Sequence, residues 1–255
     1  GILRFYINNR KQSSADALTF LMRFDEIYNL PEEVPEKLSV CYENIGWAVF
    51  RDSFRKDSNL LAVKCGDSWN HAHCDASHFS LLRKGVPEIF DSSYCSYGND
   101  IYRDYYVQSK AHNVVLFNGQ GQFPDDHHHH LRQTGKIYNF TDRGDFRYVW
   151  ADASGPMGRH FRKHLRHFIW VKDLILIYDD IWAYEAGEMN FLLHAEDDSC
   201  FRMLTEAEER IEKGFLGNDV HEVNFKSYNR KTDSYGRGKF VSALCLNDSI
   251  SPVFE

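Results

Sequence analysis

The stretch Trp69–Asp91 concentrates residue types that hold metals and move protons. It begins WNHAHCDASHF, giving His71-x-His73-x-Asp75, and ends at Ile89-Phe90-Asp91. Two histidines two apart on a strand point to the same face, because side-chain direction repeats every second residue. Imidazole and carboxylate donors suit zinc, and a set of three protein ligands leaves the fourth position of a tetrahedral site open. A lone H-x-H equally fits a polar strand whose histidines bond loop backbone. The chemistry therefore depends on what else reaches the same place, and His112, in Ala111-His112-Asn113-Val114-Val115, is read together with this stretch.

The elements that must position these residues are strands. Trp47–Arg51, Leu60–Lys64, His78–Leu82 and His112–Phe117 are short and rich in branched or aromatic residues, with Gly, Asn, Asp and Ser between them. Lys136–Phe140, Arg147–Ala151, His164–Val171, Leu174–Tyr178, Glu188–His194, Val220–Phe225 and Lys239–Leu246 continue the series. Val171-Lys172-Asp173-Leu174 reads as a tight hairpin connection. Strands at this spacing predict an all-β fold, a large antiparallel multi-stranded β-sandwich, over residues 41–255. Thr205–Lys213 (TEAEERIEK) is locally helical in character, or a charged excursion.

Residues 1–40 read differently. Ser14 can cap a helix running to Tyr28, with Leu18, Leu21 and Met22 as its apolar stripe, and Pro31 and Pro35 end it. So short a helix cannot bury its stripe alone; it packs on the sandwich or is the tail of a preceding helical domain. The sequence opens on Gly1, as a fragment or a processed chain does.

Composition narrows the function. The net charge of −7 gives a nucleic-acid role no electrostatic support, and an acidic polymer would need a local basic surface. Arg159, Arg162, Lys163 and Arg166 are one such concentration, or an ordinary strand with outward charges. No apolar run approaches a membrane span. The six cysteines contain no C-x-x-C pair and read as small buried hydrophobes, with Cys74 the one to watch between His73 and Asp75. His127–His130, after Pro124-Asp125-Asp126, reads as a solvated loop, the alternative being a second, adventitious metal site.

A longer series of short motifs resembles the heparinase II/III-like polysaccharide lyases, in their C-terminal β-sandwich domain. It comprises Gly46-Trp47-Ala48-Val49-Phe50-Arg51, His71-Ala72-His73-Cys74-Asp75, Glu88-Ile89-Phe90-Asp91, Arg103-Asp104-Tyr105-Tyr106 and Ala111-His112-Asn113-Val114-Val115. Gly135-Lys136-Ile137, Ala151-Asp152-Ala153-Ser154, Arg166-His167, Ile177-Tyr178-Asp179-Asp180 and Leu192-Leu193-His194 follow in order. The resemblance implies zinc ligands His73, Asp91 and His112, a structural role for the metal, and an α/α toroid preceding the sandwich.

It also implies β-elimination on a uronate glycan: neutralisation of the C5 carboxylate, removal of the C5 proton and protonation of the departing O4. His71 is the first candidate for the acid/base or carboxylate-holding role. Tyr97, among Tyr94, Tyr97, Tyr102, Tyr105 and Tyr106, is the candidate catalytic tyrosine; the other reading is that these rings pack a loop. Arg103 can pair bidentately with a substrate carboxylate, and equally with Asp100 or Asp104 inside the chain. Asp152, Arg166, His167 and His194 are assigned to architecture. Related lyases keep an asparagine, a tyrosine and a histidine of the active site on the toroid, so this chain is expected to be inactive, or nearly so, alone.

Two other classes are carried: a zinc hydrolase with Asp75 as base, and a non-catalytic carbohydrate-binding or structural sandwich. Heparin-like chains, alginate, hyaluronan-like polymers and bacterial capsules all present a C5 carboxylate. A periplasmic or secreted bacterial location follows by analogy.

Overall fold

The structure, a computed structural model, describes residue 33 and residues 35–66, 73–122 and 134–247. Of its two units, Gly1–Leu38 and Ser39–Glu255, the second holds the sheets. The expected helix Ser14–Tyr28 and most of the expected 1–40 segment lie outside the described residues, as do His71 and His127–His130.

Fifteen strands occur among the described residues. They begin with β1 (Val40–Tyr42), β2 (Trp47–Arg51), β3 (Leu60–Lys64), β4 (His78–Arg83), β5 (Val86–Ile89), β6 (Val115–Phe117), β7 (Lys136–Asp142) and β8 (Phe146–Asp152). They continue with β9 (Phe161–Val171), β10 (Leu174–Ala183), β11 (Glu188–Leu193), β12 (Phe201–Met203), β13 (Glu208–Leu216), β14 (His221–Lys231) and β15 (Arg237–Cys245). Every pairing is antiparallel, in three sheets ordered β1-β2-β3-β4-β5, β12-β15-β10-β9-β8-β7 and β13-β14-β11-β6. This is the expected all-β antiparallel architecture.

Alternation explains the long strands. In β9 and β10 every second residue is buried, placing Phe168, Trp170, Ile175 and Ile177 inward. Val171 pairs with Leu174 across the two-residue connection Lys172-Asp173, with Lys172 at φ 51, as a tight hairpin requires. One core joins the three sheets. Phe79 of the first packs against Phe168 of the second and Phe191 of the third, with ring centroids 5.7 and 6.3 Å apart.

The short strands β1, β5 and β12 add to the expected series, and two further segments depart from it. Thr205–Lys213 is not helical: from Glu208 it forms β13, paired with β14 over nine residues. Its helix-forming residues are overridden by cross-strand partners: Glu209 pairs with Lys226, and Glu212 accepts from Ser227 Oγ. β6 begins at Val115, not His112, because N–H bonds from His112 to Ser109 O and from Val114 to His112 O fold the approach into turns.

No disulfide joins the six cysteines, and all but the half-buried Cys41 are buried. Among the described residues no helix is long and apolar enough to cross a membrane.

Candidate metal centre

Three loops at the ends of the first and third sheets converge. His73 precedes β4, Asp91 follows β5, and His112 precedes β6. Backbone and side-chain bonds tie the loops to one another. Cys74 N–H donates to Val107 O, Ser109 Oγ to Cys74 O, and Ser92 N–H to Ala111 O. One donor atom from each of His73, Asp91 and His112 lies within 4.8 Å of the others. Donors sharing one tetrahedral zinc sit about 3.3 Å apart, so a modest contraction would close the trio on an ion.

The residues fit such an ion on two observations. First, His112 is fully buried, and its Nε2 has no hydrogen-bond partner among the described residues. A buried ring nitrogen without a partner costs free energy unless something meets it. Its Nδ1 is 2.8 Å from Asp91 Oδ2, so one proton stands between two groups that an ion would draw together. Second, the charge states of His73 and Asp91 suit metal ligands. Burial and the neighbouring His112 push the His73 imidazole down to about 4, leaving it neutral with a lone pair to give. Burial alone would raise the Asp91 carboxyl, but His112 and His78 outweigh it and hold the carboxyl well below the usual range. For His112 burial is outweighed by the charge and hydrogen bond of Asp91, which raise it.

The surroundings orient this trio. Asn113 N–H donates to His78 Nδ1 at 3.0 Å, so the His78 proton sits on Nε2, which faces Ser80 Oγ at 2.9 Å and Asp91 Oδ2 at 3.4 Å. The Asn113 amide is saturated. Its Nδ2 donates to Phe79 O and Phe90 O, and its Oδ1 accepts from the His194 N–H and from His194 Nδ1. Behind Asn113 stands Arg166, held by Asp179 and donating to the carbonyls of Ser77 and Asn113. Arg166, Asp179 and His194 are buried and fully engaged, which is an architectural use. His167 meets Tyr148 Oη at 2.8 Å, and Asp152 Oδ1 accepts from Ser154 N–H.

Asp75 is not free for base chemistry. It is buried against Lys64, with Nζ 2.5 Å from Oδ2, and burial's upward push on its carboxyl is outweighed by that lysine. Cys74 is not among the converging donors, and burial pushes its thiol up to about 12.

The tyrosine-rich segment divides. Tyr102–Tyr106 forms one wide turn closed by Val107 N–H to Tyr102 O, and buries Tyr102, Tyr105 and Tyr106. These three are packing residues; Tyr106 Oη donates to Gly217 O, and Tyr105 Oη meets Ser92 Oγ and His194 Nε2. Tyr94 and Tyr97 are exposed. Tyr97 stands edge-on to Tyr102 at 4.6 Å, and Tyr102 in turn lies 6.0 Å from His73, ring to ring. Tyr97 is thus one ring removed from the metal trio. Arg103 is exposed and, among the described residues, forms no ion pair with Asp100 or Asp104.

A cleft of about 600 Å³ adjoins the His73 loop, lined by Gln108, Lys110, Gln120, Gln122, Arg159 and His160. Gln122 Oε1 accepts from Ala76 N–H, and Ser109 Oγ accepts from Gln122 N–H. Loop and cleft wall are therefore one hydrogen-bonded unit. His78, Asn113 and Lys64 carry roles that the sequence did not reveal. Asn113 stood inside a recognised motif, whereas His78 and Lys64 looked like ordinary strand residues.

The profile of the heparinase II/III-like C-terminal domain matches residues 35–232. The fold agrees with solved structures of 15% identity. A heparinase III, the BT4657 gene product, superposes with a TM-score of 0.73 over 92% of this chain and 42% of that one. A heparan sulfate lyase HepC mutant from Pedobacter heparinus gives 0.72 over 89% and 39%. Comparison with curated protein sequences returns no match. This chain belongs to the heparinase II/III-like family, as its C-terminal β-sandwich domain. It spans about two fifths of the length of the solved lyases it resembles.

Proposed function

We propose that this chain is the β-sandwich half of a polysaccharide lyase that cleaves a uronate-containing glycan by β-elimination. The observation that supports this most is the meeting of His73, Asp91 and His112 in a heparinase II/III-like domain, with the His73 loop hydrogen-bonded to the wall of a polar cleft. In the reaction a base takes the C5 proton, the freed pair forms the C4–C5 double bond, and the C4–O4 bond breaks with a proton delivered to O4. Tyr97, solvent-facing beside the trio, is assigned proton transfer. His71 is assigned the acid/base or carboxylate-holding role, and the exposed Arg103 a substrate carboxylate.

Zinc, held by His73, Asp91 and His112, would supply a structural cross-link between the three loops. Hydrolysis is the weaker reading, because Asp75, its candidate base, is committed to Lys64. The remaining catalytic groups are assigned to a toroid domain of the same protein, and the address to the periplasm or exterior of a bacterium.

The test is formation of unsaturated uronate product, read by ultraviolet absorbance, on acidic glycans. Product from the full-length parent, lost in Tyr97→Phe, and little or none from this chain alone, is the expected result. Saturated reducing ends without a C4–C5 double bond would contradict the lyase reading in favour of a hydrolase. Saturable glycan binding without any product would leave a non-catalytic module.

A further inference from the structure

The four cations that cluster in the sequence separate in the fold. Arg166 is buried, and Arg159 lines the cleft with His160 and Gln122. Arg162 and Lys163, at the start of β9, instead join cations from the end of β14 and the start of β15. A groove of about 620 Å³ is lined by Lys163, Trp182, Arg230, Lys231, Arg237 and Lys239. A hollow of about 420 Å³ continues it, where Arg162, Tyr184 and Tyr235 surround the same Trp182 and Arg237.

Charge is unbalanced here. Two carboxylates line the groove, Asp180 and Asp233. Asp180 is paired with Lys163 at 2.7 Å, and Asp233 Oδ1 accepts the N–H groups of Tyr235 and Arg237 in the turn before β15. Among the described residues, Arg162, Arg230, Lys231, Arg237 and Lys239 have no carboxylate partner. In a chain of net charge −7 such a local surplus attracts anions against the overall field.

The aromatic framework preorganises the cations. The Trp182 ring carries Arg237 at 5.2 Å and Arg162 at 5.4 Å, and Arg162 also lies 5.1 Å from Tyr184. Trp182 is itself anchored by Nε1 donating to Tyr235 O. Stacked guanidiniums keep their N–H edges available for bidentate bonds to carboxylate or sulfate. Tyr184 and Tyr235 are 53% and 78% exposed, leaving ring surface for sugar.

The groove is separate from the metal trio. Lys163 and Asp180 face outward from β9 and β10, whereas Arg166 and Asp179, which buttress the trio, face inward.

We propose that this groove is a second glycan-binding surface, taking a carboxylated or sulfated polysaccharide segment away from the cleft. Guanidiniums and lysines pair with its anionic groups, Tyr184 and Tyr235 contact its sugar rings, and Asp180 and Asp233 accept its hydroxyls. Those carboxylates favour a hydroxyl-rich polymer over a continuous phosphate backbone. Only the choice of acidic glycan rests on the lyase reading. Gripping one polymer at two places raises its effective concentration at the cleft.

The test is calorimetric titration of the whole 255-residue chain with heparin-derived and alginate-derived oligosaccharides, a neutral glucan and single-stranded DNA. Arg162→Ala/Arg237→Ala should weaken binding of an acidic oligosaccharide about tenfold or more, with thermal stability unchanged. Lys231→Glu/Lys239→Glu, at exposed positions, is the second variant should the first unfold. His73→Ala should keep groove binding. Unchanged affinity in both groove variants, or tighter binding of DNA than of any glycan, overturns the proposal. In the full-length parent, unsaturated product formed while the groove binds no acidic oligosaccharide would sink this inference alone. Groove binding without any product would sink the lyase reading and leave the groove.

Discussion

Asp179 grips Arg166 through hydrogen bonds of 2.7 and 3.1 Å, and the grip aims Arg166 Nη1 at the carbonyls of Ser77 and Asn113. Those residues stand beside His78 and His112, so one buried ion pair in the second sheet fixes two of the loops that form the trio. The guanidinium also sits over Phe191 at 4.8 Å and Phe79 at 5.6 Å, where the three sheets meet. Removing one partner of such a pair leaves an uncompensated buried charge. Asp179→Ala should therefore cost about 3–5 kcal/mol, seen as a lower urea midpoint. A loss below about 1 kcal/mol would mean the pair is not structural.

Asn113 offers a sharper case, because its amide makes four hydrogen bonds to protein groups. Asn113→Ala strands two carbonyls and the His194 donors, each orphan costing about 1–3 kcal/mol and not additively. A destabilisation of several kcal/mol is expected by denaturant unfolding. Asn113→Asp should be little better, since a carboxylate cannot donate to Phe79 O and Phe90 O. A near-wild-type Asp variant would refute the assigned bonding.

Much of this was readable in advance, though unevenly. Strands such as β2 and β3 carry their alternation locally, so their limits stood out. The metal trio is scattered over loops whose lengths carry no signal, and it became visible only through resemblance to a family. The Lys64–Asp75 pair and the His78–Asn113 bond depend on strand register and loop crossings, which residue types alone do not encode. β13 went the other way: its charges favour a helix in isolation, and only its partner strand makes it extended.

Acid should destabilise the fold through its buried histidines. Burial holds His194 down to about 3 and His78 down to about 4, against about 6.5 in an unfolded chain. Below about pH 6.5 the unfolded state binds protons that the native state refuses, so stability is full above that pH and lost as pH falls. The slope should approach about 1.4 kcal/mol per pH unit for each histidine between roughly pH 6 and pH 4. Asp179, whose carboxyl burial would raise but Arg166 and His164 lower, adds its loss only below the unfolded carboxylate range, near pH 4. Unfolding midpoints measured across this range check it; a flat profile from pH 7 to pH 5 would contradict it.

Tyr97 and the buried tyrosines should separate cleanly. Tyr97→Phe removes an exposed hydroxyl and should leave the thermal midpoint within about 2 °C, since surface changes cost under about 0.5 kcal/mol. In the full-length parent the same change should abolish unsaturated product. Tyr106→Phe should do the opposite, lowering stability through the lost bond to Gly217 O while turnover persists. A reversed pattern would move the proposed catalytic role from Tyr97 to Tyr106.

The claim on which the rest depends is that His73, Asp91 and His112 hold one divalent ion. Its direct test is elemental analysis of tag-free protein, comparing wild type, His73→Ala and a variant with the His127–His130 run replaced. About one zinc per chain, lost with His73 and kept without that run, is the predicted result, in line with a three-ligand site. No bound metal, or metal lost only when His127–His130 is replaced, would contradict the account.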